Sequence, residues 1–215
     1  DASTYPSGGK VAVLSLVAGT VDSLTTVADL EVTLPVEAQL GAEVSVGDYD
    51  DDGAMDLAMG APTLDGLGAV YVLSDYEYFT ADGASGASLD LDEAASIRIT
   101  GSEGGMGAGL SIAGDLTGDG VPDLLVTESE VEGVGAVWVV SGSRLVEGDN
   151  AIEDVSVLGI RAQYYAEQLG RNVGSADFDG DGIDDLVIDS SRHPTPADVG
   201  LAMSGRVSVL LSADR

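Results

Sequence analysis

The chain has 215 residues, with 30 Gly, 38 Asp or Glu, 8 Lys or Arg, no Cys and a formal net charge of −30. That charge disfavours nucleic acid and anionic membrane as direct partners, and the absence of Cys excludes disulfides and thiol chemistry. No apolar run reaches the ~18 residues of a membrane span, while the 44% apolar content is enough for a core and argues against disorder.

In chain order, the first readable elements are two short strands, GKVAVLS (9–15) and ADLEVTL (28–34). GAEVSVGD (41–48) then leads into an acidic run, DYDDDGAMD (48–56), and out into the apolar stretch 56–60. GAVYVLS (68–74) follows, then an insertion at 75–95 carrying Tyr76, Tyr78 and Phe79, then IRIT (97–100). The same series recurs: AGLSIAGD (108–115), the run DLTGDGVPD (115–123), 123–126, GAVWVVS (135–141) and VSVL (155–158). It recurs again as GRNVGSAD (170–177), the run DFDGDGIDD (177–185), 185–188, an insertion at 189–204 and GRVSVLL (205–211). The stretch 162–169 has room for one or two helical turns, and no helix of ordinary length is expected.

The acidic runs begin 67 and 62 residues apart, and a fixed period of that size signals an array of supersecondary units. Each unit reads as a four-stranded meander with the acidic run between its first and second strands. The expected tally is thirteen strands: the last two of a preceding unit (1–39), complete units at 40–103 and 104–168, and a partial unit at 169–215. The expected fold is therefore all-β, in about three and a half repeats. Unpaired strand edges at the two ends predict an open arc that self-associates head to tail or continues into neighbouring strands.

Each run places oxygen side chains at positions 1, 3 and 5, Gly at 6 and Asp at 9. A hard cation such as Ca²⁺ takes six to eight oxygens at about 2.3–2.6 Å, and a tight loop with alternate residues turned inward supplies them. Without a cation, three or four clustered carboxylates repel one another. Three Ca²⁺ sites follow. The first comprises Asp48, Asp50, Asp52, the Ala54 carbonyl and Asp56; the second Asp115, Thr117, Asp119, the Val121 carbonyl and Asp123; the third Asp177, Asp179, Asp181, the Ile183 carbonyl and Asp185. Thr117 replaces a carboxylate, which makes the second site the weakest. Asp51 and Asp184 fall between ligand positions and are expected to face solvent. An EF-hand would need Glu at position 12 and flanking helices; position 12 is Met59, Val126 or Ile188, so each loop joins strand to strand.

Catalytic signals are weak. The single His, His193, lies in a Pro-bounded loop, and no Ser sits in a Gly-x-Ser-x-Gly elbow. Paired carboxylates suit glycoside hydrolysis, but these recur with metal-loop spacing. Trp138 stands where Tyr71 does in the preceding unit and is expected to pack against a neighbouring blade. Arg161, Tyr164, Tyr165, Arg192 and His193 gather on the face opposite the acidic loops and form the best candidate recognition surface.

These residues resemble the FG-GAP repeat of integrin α-subunit propellers and their bacterial relatives. Gly60-Ala61-Pro62 matches that family's Gly-Ala-Pro signature; Thr127-Glu128-Ser129 and Asp189-Ser190-Ser191 depart from it. At the Phe-Gly positions, Leu40-Gly41, Ala108-Gly109 and Leu169-Gly170 keep the Gly and lose the Phe. The resemblance implies four-stranded antiparallel blades around an axis, calcium in the acidic loops and an extracellular role in adhesion or scaffolding. The expected function is a secreted, non-enzymatic calcium-binding module. It would meet a protein or glycan ligand at the cell surface, or associate with itself. A subunit of an extracellular filament or sheath, and an accessory or catalytic module of a secreted hydrolase or lyase, are the alternatives. The polar start at Asp1 carries no signal peptide, and an exported chain is expected to have lost one.

Overall fold

A computed structural model describes residues 9–13, 30–34, 37–74, 87–164, 167–193 and 205–212. The described residues form fifteen strands in four sheets, all-β as expected. Most of the strands are short and apolar, and the left-handed glycines 68, 135 and 205 each stand one residue before a strand. A Gly at such a point turns the chain without a Cβ penalty.

The first sheet contains β1 (Lys10–Val13), β2 (Leu30–Thr33) and β6 (Ala87–Asp90). The second runs β3 (Val44–Gly47), β4 (Asp56–Ala61), β5 (Ala69–Leu73), β7 (Ile97–Thr100) and β11 (Gly148–Ala151). The third runs β8 (Met106–Ile112), β9 (Leu124–Glu128), β10 (Ala136–Val140) and β12 (Ser156–Arg161). The fourth is β13 (Leu169–Ala176), β14 (Asp185–Ser190) and β15 (Arg206–Leu210). The middle strands β4 and β9 are buried along their whole length, which is why they read as continuous apolar runs.

Two strands were not anticipated, and they alter the blade. β6 pairs with β2 in parallel, and β11 pairs with β7 in parallel. Each lies in the connection between a unit's third and fourth strands. That connection reaches back to the outer strand of the preceding blade, then turns through a single helical turn, Leu91–Ala94 or Ile152–Val155. Each turn sinks an aliphatic residue, Leu91 or Ile152, wholly into the core. A blade is thus a four-stranded antiparallel meander with a fifth, parallel strand lent by its successor. The turn forecast within 162–169 is not found among the described residues, and Leu169 opens β13.

The apolar clusters lie between blades. One unites β1, β2, β4 and β5 with Leu91; the next unites β4, β5 and β7 with β8, β9, Val140 and Ile152; the third joins β9 and β10 to β14. Neighbouring blades also meet backbone to backbone. A Cβ on Gly60 would fall on the Gly107 carbonyl oxygen, so the Gly of the Gly-Ala-Pro motif is a close-approach residue. One junction later, Thr127 takes the place of Gly60 and donates its hydroxyl to the Gly170 carbonyl at 2.5 Å. The motif departs there because a hydrogen bond replaces the bare contact.

Candidate metal centres

All three acidic loops lie between the first and second strands of their blades. Turning the chain so sharply leaves backbone N–H groups unpaired, and the loop's own carboxylates collect them. Asp48 accepts from Asp52 N and Gly53 N at 3.1 and 2.9 Å. Asp115 accepts from Gly118 N, Asp119 N and Gly120 N, and Asp177 from Gly180 N and Gly182 N. The acid at position 5 accepts from the N–H at position 7: Asp52 from Ala54, Asp119 from Val121 and Asp181 from Ile183.

In the first loop the carboxylates of Asp48, Asp50 and Asp56 place oxygens within 4.8 Å of one another, and in the third those of Asp177, Asp179 and Asp185 do the same. The donor set is all oxygen and triply anionic, which suits a hard divalent cation and not a soft one. Partial desolvation within the loop pushes the exposed Asp179 carboxyl above its ordinary range, and the neighbouring charges of Asp181, Asp185 and Asp177 add to this against a hydrogen bond from Asp181 N–H. A bound cation would relieve that repulsion. No three-acid cluster forms in the second loop. There Thr117 donates to Asp115 Oδ1 at 3.4 Å, and Asp119 is held below the usual carboxylate range chiefly by the Ser143 hydroxyl at 2.6 Å. Asp52, Asp119 and Asp181 sit at the exposed tips, and Ala54, Val121 and Ile183 are half-buried.

The ninth position does more than the spacing alone revealed. Asp56, Asp123 and Asp185 are fully buried. Each accepts from the N–H of position 2 at 2.8 Å: Tyr49, Leu116 and Phe178. The second oxygen of Asp123 accepts from Gly142 N, and that of Asp185 from Ser212 N. Both donors lie just past the blade's third strand. The ninth-position acid therefore ties the metal loop to the exit of the third strand. Burial pushes the Asp123 carboxyl up despite its bonds to Gly142, Leu116 and Thr117, whereas the Ser212 N–H holds Asp185 down.

Asp184 corrects an expectation. It does not face solvent: it accepts from Ser175 Oγ at 2.6 Å and from Gly114 N at 3.2 Å, linking the third loop to the preceding blade. Asp51 is exposed, as expected, at a left-handed φ of 59°.

Two buried carboxylates outside the loops escaped the sequence reading. Glu128, on β9, accepts from Ser102 N, Glu103 N and Gly104 N and from Trp138 Nε1, so it clamps the crossing between the second and third sheets. Glu167, in the next crossing, accepts from Gln163 N, Tyr164 N, Ser190 Oγ and His193 Nδ1. Burial opposes its ionisation, but the bonds from Ser190, His193, Tyr164 and Gln163 outweigh it and bring its pKa down to about 2. Ser190 occupies the position of Glu128 one blade on, so the same junction is built with the acid and donor sides exchanged.

On the opposite face Tyr164 stands edge-on to His193 at 5.5 Å. Arg161 pairs with Glu132 at 2.6 Å, and Arg192 is exposed. Tyr165, Tyr76, Tyr78 and Phe79 lie outside the described residues. Trp138 stacks over Gly159 in its own blade and packs at the edge of the second interblade cluster. No helix among the described residues is long and apolar enough to cross a membrane.

Comparison with known proteins agrees with this geometry. The family model of the FG-GAP repeat matches residues 40–73, 106–140 and 169–210. The chain is 32% identical over 165 residues to phosphatidylinositol-glycan-specific phospholipase D of Homo sapiens, covering 73% of this chain and 19% of that protein. It is 31% identical over 158 residues to integrin alpha-7 of Homo sapiens, covering 70% and 12%. Integrin alpha-4 of Xenopus laevis is 27% identical over 173 residues, covering 79% and 15%. The chain thus spans about a fifth or less of the length of these relatives.

Proposed function

The chain belongs to the FG-GAP repeat family, and from that premise we propose that it is a calcium-stabilised, β-propeller-like module of an extracellular or cell-surface protein, serving adhesion or structural assembly and not catalysis. The observation that carries this reading is the recurrence of one three-carboxylate cluster, Asp48/Asp50/Asp56 and Asp177/Asp179/Asp185, at matching positions of two blades. The ligand set in each loop is the one expected from spacing: the acids at positions 1, 3, 5 and 9 with the carbonyl at 7, and Thr117 in the second loop. In loops one and three, the acids at positions 1, 3 and 9 form the ready core of that set. Calcium there would neutralise the clustered charge and pin the loop to the strands on either side. The divisions at 39/40, 103/104 and 168/169 are retained as the blade boundaries. The partner is a protein or glycan at the cell surface, in keeping with the integrin relatives.

Isothermal titration of chelator-stripped protein with Ca²⁺ tests this. Two strong sites and a third, weaker one are expected, with poor replacement by Mg²⁺, which prefers compact octahedral sites with retained waters. No binding in Asp48 and Asp177 loops would overturn the reading. The match to a phospholipase D supports a second reading, a non-catalytic accessory module within a secreted hydrolase. Activity of the isolated chain on glycan or phospholipid substrates would speak against both.

A further inference from the structure

The second and third acidic loops touch through one residue of the third. Asp184 lies between Ile183, whose carbonyl is an expected ligand, and Asp185, the buried ninth-position acid. Its main-chain N–H donates to the Asp115 carbonyl at 2.9 Å, and Asp115 is the first-position acid of the second loop. Its carboxylate accepts from Gly114 N at 3.2 Å and from Ser175 Oγ at 2.6 Å. Gly114 N also donates to Ser175 Oγ at 3.0 Å, which closes the three groups into one network. A Cβ on Gly114 would fall 2.3 Å from Asp184 Oδ2, so only glycine fits there. Ile183 lies against Gly118, the fourth residue of the second loop, where a Cβ would stand 3.2 Å from Ile183 Cδ1. The stretch that carries two expected ligands of the third site is thus fastened to the start of the second loop.

The first and second loops cannot be joined in the same way. Position 8 is Met55 in the first loop, Pro122 in the second and Asp184 in the third. Proline has no N–H, so the second loop has no donor at that position to offer the Asp48 carbonyl. It also lacks the carboxylate with which Asp184 holds Gly114. One position therefore divides the three loops into a joined pair and a single.

We propose that the second and third calcium sites bind cooperatively through Asp184, and that the first site is independent of both. The inference rests on the calcium reading above. An ion in the third loop fixes the Ile183 carbonyl and the Asp185 carboxylate, and so fixes Asp184 between them. Asp184 in turn holds Gly114 and Asp115, which sets the first-position ligand of the second site. An ion entering the second loop then meets a segment already ordered, and less conformational entropy is lost when it binds. Coupling is reciprocal, so an occupied second loop tightens the third by the same factor. Repulsion between the two ions opposes this. It is the smaller effect, because the two loops hold eight carboxylates against four positive charges and physiological salt screens charge over about 8 Å. The weaker Thr117 loop thereby gains order from a stronger neighbour.

Calcium titration calorimetry of chelator-stripped variants in physiological salt tests this. Asp50→Asn leaves the second and third sites, and Asp50→Asn/Asp179→Asn leaves the second alone. The second site is expected to bind about fivefold or more weakly when alone. The double variant leaves the third loop more negative than when its ion is bound, so simple attraction would make the second site tighter, not weaker. Asp179→Asn, which keeps the first site, should give the second that same weak affinity. Asp50→Asn/Asp184→Pro gives the third loop the proline that the second already carries; both sites should remain, with the second as weak as when alone. Asp50→Asn/Asp184→Asn keeps the N–H and an acceptor oxygen and should keep the coupling. The comparison of ligand variants stands without the proline. A second site indifferent to Asp179→Asn, or weakened equally by Asp50→Asn, overturns the coupling and leaves three calcium sites. Coupling that survives Asp184→Pro overturns the route through Asp184. Wild type that takes up no calcium overturns the calcium reading, and the coupling with it.

Discussion

Replacing Asp123 by Ala separates the two roles of a ninth-position acid. Its carboxylate is fully buried and accepts three main-chain bonds, from Leu116 at 2.8 Å, Thr117 at 2.9 Å and Gly142 at 3.1 Å. Bonds to a charged acceptor contribute about 1.5–3 kcal/mol each. They are not additive, and the three donors are half-buried, so water recovers part of the loss. The burial that raises the carboxyl's pKa is also relieved when the acid is removed. The net cost is about 2–4 kcal/mol, which at ~2–4 °C per kcal/mol for a chain of this size lowers the melting temperature by ~4–16 °C. Scanning calorimetry in chelator and in calcium provides the measurement. The drop should already be present in chelator, because the clamp onto Gly142 needs no ion. Asp119→Ala, at the exposed tip, should cost far less there. If Asp123→Ala melts with wild type in chelator and falls behind only in calcium, the acid is a ligand alone and the clamp is refuted.

Calcium should raise the melting temperature: each site at a hundredfold excess over Kd adds about 2.7 kcal/mol, or ~5–11 °C. Asp50→Asn and Asp179→Asn should each remove one strong site by titration calorimetry, and the Thr117 loop should empty first under chelator. Glu167 has a folded pKa of about 2 against an ordinary 4.5, so its contribution is fully present above pH ~4.5 and is lost as pH falls toward 2. At about 1.4 kcal/mol per unit that is ~3 kcal/mol at neutral pH, and urea melts of wild type and Glu167→Gln should converge as the solution is acidified. Gly60→Ala should destabilise by forcing the Gly107 carbonyl aside, and Thr127→Val by about 1–2 kcal/mol through an unpaired Gly170 carbonyl; equal denaturation midpoints with wild type would contradict both.

The acidic loops and the strands around them were legible because oxygen spacing and alternating apolar residues are local signals. β4 and β9 announced themselves as apolar runs, since both of their faces are covered. β6 and β11 did not: ASLD and GDNA are short and polar, with no period of two. They become strands only because an outer edge on the preceding blade offers unpaired backbone groups. Asp184 was misread for a related reason. Its place in the loop says solvent, but the neighbouring blade brings Ser175 and Gly114 to it. Glu128 and Glu167 lie in segments that carry no motif, and their partners come from a crossing some 25 residues away in the first case and from β14 in the second.

The same observations explain how a degenerate motif keeps its architecture. The junction between the second and third sheets is held by a bare glycine contact, Gly60 on Gly107, and by Glu128 gathering three main-chain N–H groups. The junction between the third and fourth is held by the Thr127 hydroxyl on Gly170 and by Glu167 on Ser190 and His193. Each arrangement satisfies the same requirement, that backbone groups brought together where one blade hands over to the next find partners away from water. Only Gly60-Ala61-Pro62 does so with the family's signature residues. The acidic loops, by contrast, keep their spacing in all three copies, as the oxygen cage of the proposed cation requires. The acidic loops and the buried carboxylates at the crossings lie in different places, apart from Asp184, which joins the third loop to Gly114 of the preceding blade. On the proposed reading, calcium pins the strand-one to strand-two turns, while the buried acids at the crossings join the blades through hydrogen bonds that need no ion.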